Sequence, residues 1–260
     1  MKPFYILLLL ALIIFSCSSP QSGETGGAGT TTDNPAAPGF NENSDARAIE
    51  LADAAMAAMG GRKSWDETRY MFWNFFGVRT LLWDKQTGDV RIEYVNDDLK
   101  ILLNEKTMVG KLWQEGAEVS NPDSLTKYMK RGRRIWINDS YWLVMPFKLK
   151  DSGVTLDYLG KEETLTGEPA EVVRLTFESV GVTPNNAYHV WVSEKDNLVK
   201  QWAWYASAQD TAARFTLPWD NYQQMGKILL SEERGDRDLT DVKVLDEVPA
   251  GIFEDFSVSL

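Results

Sequence analysis

Residues 69–77 read Arg69-Tyr70-Met71-Phe72-Trp73-Asn74-Phe75-Phe76-Gly77, and the reading of this stretch decides the fold class. A β-strand sends successive side chains to opposite faces. Tyr70, Phe72 and Phe76 then share one face, and Met71, Trp73 and Phe75 the other. A strand with one solvated face alternates apolar and polar residues. Bulky residues on both sides mean that both faces are covered, or that one of them lines an apolar hollow. Trp202-Ala203-Trp204-Tyr205 repeats the pattern.

Further strand-like segments surround this one. Residues 78–83, 90–95, 100–104 and 107–113 follow at short intervals, with Asp84 to Gly88 as a glycine-containing hairpin loop. After an interruption come 154–159, 172–177, 187–192, 198–205, 213–219, 227–230 and 242–244. About eleven or twelve strands at such spacing predict a mainly β (α+β) domain. Its core is one large antiparallel sheet, curved toward an incomplete barrel. Helical patterning occurs in two places. Residues 45–59 are Ala-rich, with Ile49, Ala52, Met56 and Met59 at helical spacing, Ser44 as a cap and Gly60-Gly61 as the stop. Within 121–147, Asp123 or Ser124 caps a helix running to about Arg131, and Tyr141 to Val144 forms a short apolar helix ended by Pro146.

The N-terminus carries a different signal. Lys2 precedes an apolar run of about twelve residues, Phe4 to Phe15, followed by Ser16-Cys17. That run suits a signal-peptide core and is too short to span a bilayer, which takes roughly 20 residues. Ile14-Phe15-Ser16-Cys17 matches a lipobox, with Phe15 bulkier than usual. The expectation is a signal peptide over 1–16 and lipidation of Cys17. Cys17 is also the only cysteine, and lipidation consumes a thiol that an oxidising compartment would otherwise pair. Residues 17–43 are rich in Gly, Ser, Thr, Pro and Asn, which predicts a disordered tether. The folded domain is expected over 44–260. No acidic cluster follows Cys17, which points to an anchor in the outer membrane, facing the periplasm.

Charge and composition remove several function classes. The chain has 27 basic and 38 acidic residues, a net charge of −11. The acidic residues are scattered, so nucleic acid is not an expected partner. Lys127, Lys130, Arg131, Arg133 and Arg134 form the one basic cluster, either a solvated helix face or a contact for a lipid headgroup or acidic partner. His189 is the only histidine. Neither a Ser-His-Asp site nor a zinc site has the residues it needs, and no cofactor is expected. Adjacent acidic pairs such as Glu162-Glu163 point to opposite faces of a strand, so they do not address one substrate bond.

Aromatic content is the main functional clue: ten Trp, nine Tyr and eleven Phe, concentrated on strands. Phe72, Trp73, Phe75, Trp83, Tyr141, Trp142, Trp202 and Trp204 are the candidate lining of a ligand-binding hollow. Met59-Gly-Gly61, Ser64-Trp65, Phe76-Gly-Val-Arg79 leading to Trp83-Asp84, Thr87 to Arg91, Trp136 to Leu143 with Met145 to Leu149, and Trp219-x-x-Tyr222-x-x-x-Gly226 carry a resemblance. Together they resemble an uncharacterised bacterial lipoprotein family related to the outer-membrane lipoprotein-sorting (LolA/LolB-like) superfamily. The resemblance implies an incomplete β-barrel closed by a helical lid around an apolar cavity that takes an acyl chain or another lipid. It also implies a barrel arginine that holds the lid closed, for which Arg79 and Arg91 are both candidates. The expected protein is a monomer, tethered to a membrane through its N-terminal lipid, that binds an apolar small molecule or acyl chain and is not an enzyme. An envelope assembly module with a filled core is the alternative, and a hydrolase ranks last.

Overall fold

The computed structural model describes residues 33–178 and 184–260. The expected signal peptide, the lipidated Cys17 and tether residues 17–32 lie outside the described residues.

The last part of the expected tether is ordered. Ala37 N–H donates to Lys150 O at 2.9 Å, and Asn41 N–H to Val154 O at 3.0 Å. Phe40 packs against a core cluster. Residues 33–43 therefore lie along the fold, which corrects the reading of 17–43 as one disordered stretch. Composition averaged away the one aromatic anchor.

Helix α1 (Ala46–Ala58) buries Ala48, Leu51, Ala52, Ala55 and Met56. Its small side chains let it lie close to the sheet beneath. Ser44 does not cap it. The Ser44 hydroxyl donates to Asn41 O at 2.8 Å and accepts from Leu156 N–H at 3.0 Å, so it ties the helix start to a strand. Gly60, at φ 112, ends the helix as expected, and a Cβ there would lie 2.5 Å from Lys227 O. A short helix α2 (Gly61–Glu67) follows it directly.

Six strands come next: β1 (Tyr70–Phe75), β2 (Arg79–Asp84), β3 (Asp89–Tyr94), β4 (Leu99–Asn104), β5 (Gly110–Gln114) and β6 (Ala117–Glu118). Helix α3 (Pro122–Val144) then crosses to a second run, β7 (Val154–Glu163), β8 (Pro169–Phe177), β9 (Ala187–Ser193), β10 (Val199–Tyr205) and β11 (Phe215–Pro218). A hairpin of β12 (Asp220–Met225) and β13 (Ile228–Glu233) precedes β14 (Leu239–Leu245). The order in the first sheet is β14-β1-β2-β3-β4-β5-β6, and in the second β11-β10-β9-β8-β7, with β12-β13 a separate pair. The described residues thus form fourteen antiparallel strands in three open sheets, where one sheet of eleven or twelve strands was expected. The architecture remains an incomplete barrel with a helix across it. Strand β12 escaped the sequence reading because Asp220-Asn-Tyr-Gln-Gln-Met225 is largely polar and none of its residues is fully buried.

Helix α3 is continuous over 23 residues, not two pieces. Asn121, rather than Asp123 or Ser124, is its cap, accepting from Ser124 N–H at 3.0 Å. The basic residues around Gly132, with Lys130, Arg133 and Arg134 exposed, hide the continuity in the sequence. The buried stripe Met129, Gly132, Asp139, Ser140 and Leu143 nonetheless keeps one face against the sheet. Gly132 permits the approach, since a Cβ there would stand 3.1 Å from Ile101 and Leu103. A 3-10 turn (Met145–Lys148) containing Pro146 ends the helix.

One core cluster lies between α3 and the seven-stranded sheet, and a second between α1 and the five-stranded sheet; Trp142 and Tyr222 pack against both. The outer face of the seven-stranded sheet is covered too. Cross-strand register aligns Phe72, Leu82, Arg91, Leu102 and Lys111. The C-terminal segment runs over this row. Arg91 donates to Ile252 O (2.7 Å), Asp255 O (3.0 Å) and Phe256 O (3.2 Å), and Lys111 to Glu254 O (2.8 Å). Bulky residues on both faces of β1 thus reflect two covers, α3 on one side and residues 252–256 on the other.

Candidate functional site

The last turns of α3 place Tyr141 and Trp142 among rings from both sheets. Trp142 meets Phe75 edge-on at 6.2 Å, Phe76 at 5.1 Å, Trp202 at 4.9 Å and Phe215 at 5.5 Å between centroids. Tyr141 meets Tyr188 at 5.2 Å, Trp202 at 6.4 Å and Phe177 at 6.5 Å. Tyr188 stacks on Trp202 at 5.5 Å, and Trp204 reaches Phe215 at 5.7 Å. Trp202 is buried, whereas Phe76, Tyr141, Trp142, Phe177, Tyr188, Trp204 and Phe215 are half-buried. The result is an aromatic chamber with a partly accessible rim. These rings pack on one another instead of standing back around a space.

Five of the eight expected lining residues meet here: Phe75, Tyr141, Trp142, Trp202 and Trp204. Trp73 and Trp83 belong to the core under α3, where Trp83 meets Trp136 at 5.4 Å. Phe72 lies on the opposite sheet face, with Lys243 Nζ 5.5 Å above its ring. Strand alternation explains that exclusion, because Phe72 cannot share a face with Trp73. Phe76, Phe177, Tyr188 and Phe215 were not anticipated. Phe76 breaks the alternation: at φ 56, followed by Gly77 at φ 67, it leaves the strand and swings its ring to 3.9 Å from that of Phe75. A positive φ is a sparsely populated conformation for a bulky residue. Asn74 holds the turn by accepting from Gly77 N–H at 2.9 Å. The Phe-Phe-Gly sequence at the end of the strand was the available signal.

The two candidate arginines have different duties. Arg79 pairs with Asp139 on α3, Nε to Oδ2 at 2.6 Å and Nη2 to Oδ1 at 2.8 Å. Asp139 is fully buried. Burial pushes its carboxyl above the usual carboxylate range, and the Arg79 guanidinium counteracts this only in part. Arg91, by contrast, clamps the C-terminal segment on the outer face. A third arginine, unnoticed in the sequence, lies deeper. Arg234 is fully buried, stacks 3.4 Å over Trp219, and donates to Trp142 O and Ser231 Oγ, both at 2.8 Å. Burial draws its pKa down to about 9. Its position at the C-terminal turn of α3 suits the negative end of the helix dipole.

Several polar groups in the interior have no hydrogen-bond partner among the described residues. They include the indole N–H groups of Trp73, Trp83, Trp136, Trp191 and Trp202, the Nε–H of Arg234 and the hydroxyl of Tyr141. Burial drives the Tyr141 hydroxyl pKa well upward, with Tyr188 and Asp151 adding to the effect. A buried donor left unpaired costs about 1–3 kcal/mol. His189 faces away from the chamber, 3.2 Å from the Tyr205 hydroxyl, and burial lowers its pKa to about 4. A hollow of about 510 Å³ at the chamber rim is bordered by Phe76, Gly77, Asp236, Arg237, Asp238 and Thr240. Another, of about 670 Å³, lies on the outer face between the sheet edge and the C-terminal segment, bordered by Asp98, Lys111, Trp113, Glu118 and Phe256 among others. Among the described residues, no group of three or more His, Cys, Asp or Glu side chains is arranged to hold a metal. No described helix is long and apolar enough to cross a membrane.

No family model matches the chain, and no curated protein matches it significantly. Solved structures do. A DUF1329 family protein from Desulfovibrio piger ATCC 29098 is 13% identical with a TM-score of 0.43, and the match covers 80% of this chain and 97% of that one. The chain is also similar to a LolA superfamily protein from Nitrosomonas europaea, at 12% identity and a TM-score of 0.37, over 80% of this chain and 97% of that one.

Proposed function

We propose that this chain is an envelope protein, anchored through a lipid on Cys17 and facing the periplasm from the outer membrane. In this reading it binds a lipid or another apolar molecule bearing acceptor oxygens, held between α3 and the two sheets. The observation that carries the reading is the set of buried, unpartnered N–H and O–H groups among the interior aromatics. Aromatic surface favours an apolar chain, and the orphaned donors favour ester or amide carbonyls along it. In this reading α3 is the cover, and the Arg79–Asp139 pair keeps it down until a ligand enters. The reading involves binding and no catalysis.

A second reading, an assembly module with a filled core, draws on the close ring contacts around Trp142 and Trp202. Native mass spectrometry with lipid extraction, on protein purified from its own host, separates the two. A co-purifying lipid that is lost on unfolding is the expected result. Protein that emerges ligand-free, and takes up no added lipid, removes the carrier reading and leaves the module.

A further inference from the structure

Helix α3 has a second face. Lys127, Lys130 and Arg134 recur at i, i+3 and i+7, which puts them on one exposed stripe. Among the described residues none of the three forms an ion pair. Arg131 and Arg133 flank the stripe and fasten it to the sheet, Arg131 donating to the Tyr94 hydroxyl at 2.8 Å and Arg133 to Glu105 O at 3.1 Å. The helix holds only two carboxylates, Asp123 and Asp139, and Asp139 is spent on Arg79. In a chain of net charge −11, this is a concentrated, uncompensated positive surface. A second observation lies beside it. The turn between β4 and β5, gripped by Arg133 through Glu105, presents Val109 at 71% exposure, the highest of the exposed large apolar residues among the described ones.

From this juxtaposition we infer that the outer face of α3, with the Val109 turn, docks on an anionic phospholipid surface. Basic side chains near such a surface each contribute about a fivefold gain in binding, and a small apolar tip beside them enters the headgroup region. A nucleic acid or an acidic protein would answer the charge but leave the Val109 tip without a role. The inference does not depend on a ligand being bound inside. It does orient the molecule: the helix that covers the aromatic chamber becomes the part nearest the bilayer.

The test uses the full chain with Cys17→Ser and Val109→Cys, carrying an environment-sensitive NBD label on the new thiol. It is mixed with vesicles of phosphatidylcholine alone or of phosphatidylcholine with phosphatidylglycerol. The signal on phosphatidylcholine alone sets the baseline contributed by the rest of the chain. Brighter, blue-shifted emission is expected on the anionic vesicles, fading as salt is raised. Lys127→Glu/Lys130→Glu/Arg134→Glu should require at least about 100-fold more anionic lipid for the same signal, since each change both removes a cation and adds an anion. The control Lys63→Glu/Lys161→Glu/Lys195→Glu, with the same net charge, should behave like the parent. Equal signals on both vesicle types, an indifference to salt, or an equal loss in the control would each overturn the inference. The salt series on the parent needs no variant to fold.

Discussion

Arg79 on β2 and Asp139 on α3, distant in sequence, form a two-point pair with contacts of 2.6 and 2.8 Å, and the carboxylate end of it sees no solvent. Removing one member of a buried pair strands the other charge, at a cost of about 3–5 kcal/mol. Arg79→Ala should therefore lower unfolding stability by about that much, and amide exchange along α3 should accelerate. The double variant Arg79→Met/Asp139→Leu should recover most of the stability while α3 still exchanges faster. Urea titration with hydrogen-exchange mass spectrometry checks both; a stable Arg79→Ala protein with a protected helix would contradict them.

Tyr141 offers a prediction with two signs. Its hydroxyl is buried without a partner, so Tyr141→Phe should stabilise the ligand-free protein by about 1 kcal/mol or somewhat more. If that hydroxyl meets a ligand carbonyl, the same change should weaken lipid uptake about tenfold. Thermal melts and titration with a fluorescent phospholipid give the two readings. Loss of stability, together with unaltered uptake, would exclude the role proposed for it.

Arg91 holds three backbone carbonyls of the C-terminal segment. Arg91→Ala should free residues 252–256 from the sheet, uncovering Leu82 and Leu102. Expected signs are rapid proteolytic trimming of the C-terminus and increased binding of an apolar dye, with the ring contacts of Trp142 unchanged by near-UV circular dichroism. A C-terminus as resistant as in the parent would show that the clamp is dispensable.

His189 links stability to acidity. Burial lowers its pKa from 6.5 to about 4, so the folded state takes up its proton later than the unfolded chain does. The unfolded chain binds more protons across that window, and the contribution of His189 to stability falls as pH drops from about 6.5 to about 4. His189→Gln should flatten this part of the curve relative to the parent. Parallel curves for the two proteins would refute it.

The strand segments and the helix stop at Gly60 were readable because periodicity and glycine act locally. So was the importance of residues 69–77, though the sequence left open what covers each face. The answer lay in residues 252–256, whose role depends on Arg91 many strands away in sequence. The choice between Arg79 and Arg91 was equally beyond local reading, since both sit on strands and only the tertiary fold decides which guanidinium faces α3. Phe76 was assigned to the wrong side because alternation holds only while φ stays negative. Arg234 gave no signal at all: in sequence it is one charged residue in an acidic turn, and only burial against Trp219 distinguishes it.

The grip of Arg234 on the Trp142 carbonyl has a mechanical meaning. A helix of 23 residues is roughly 34 Å long, and among the described residues the side chain of Asn121 at its far end bonds only within the helix cap. Any outward motion of α3 is then a swing about a fixed foot, with travel growing toward Asn121 and vanishing near Val144. A gradient of amide exchange along the helix, fast at the Asn121 end and slow at the other, would be its signature.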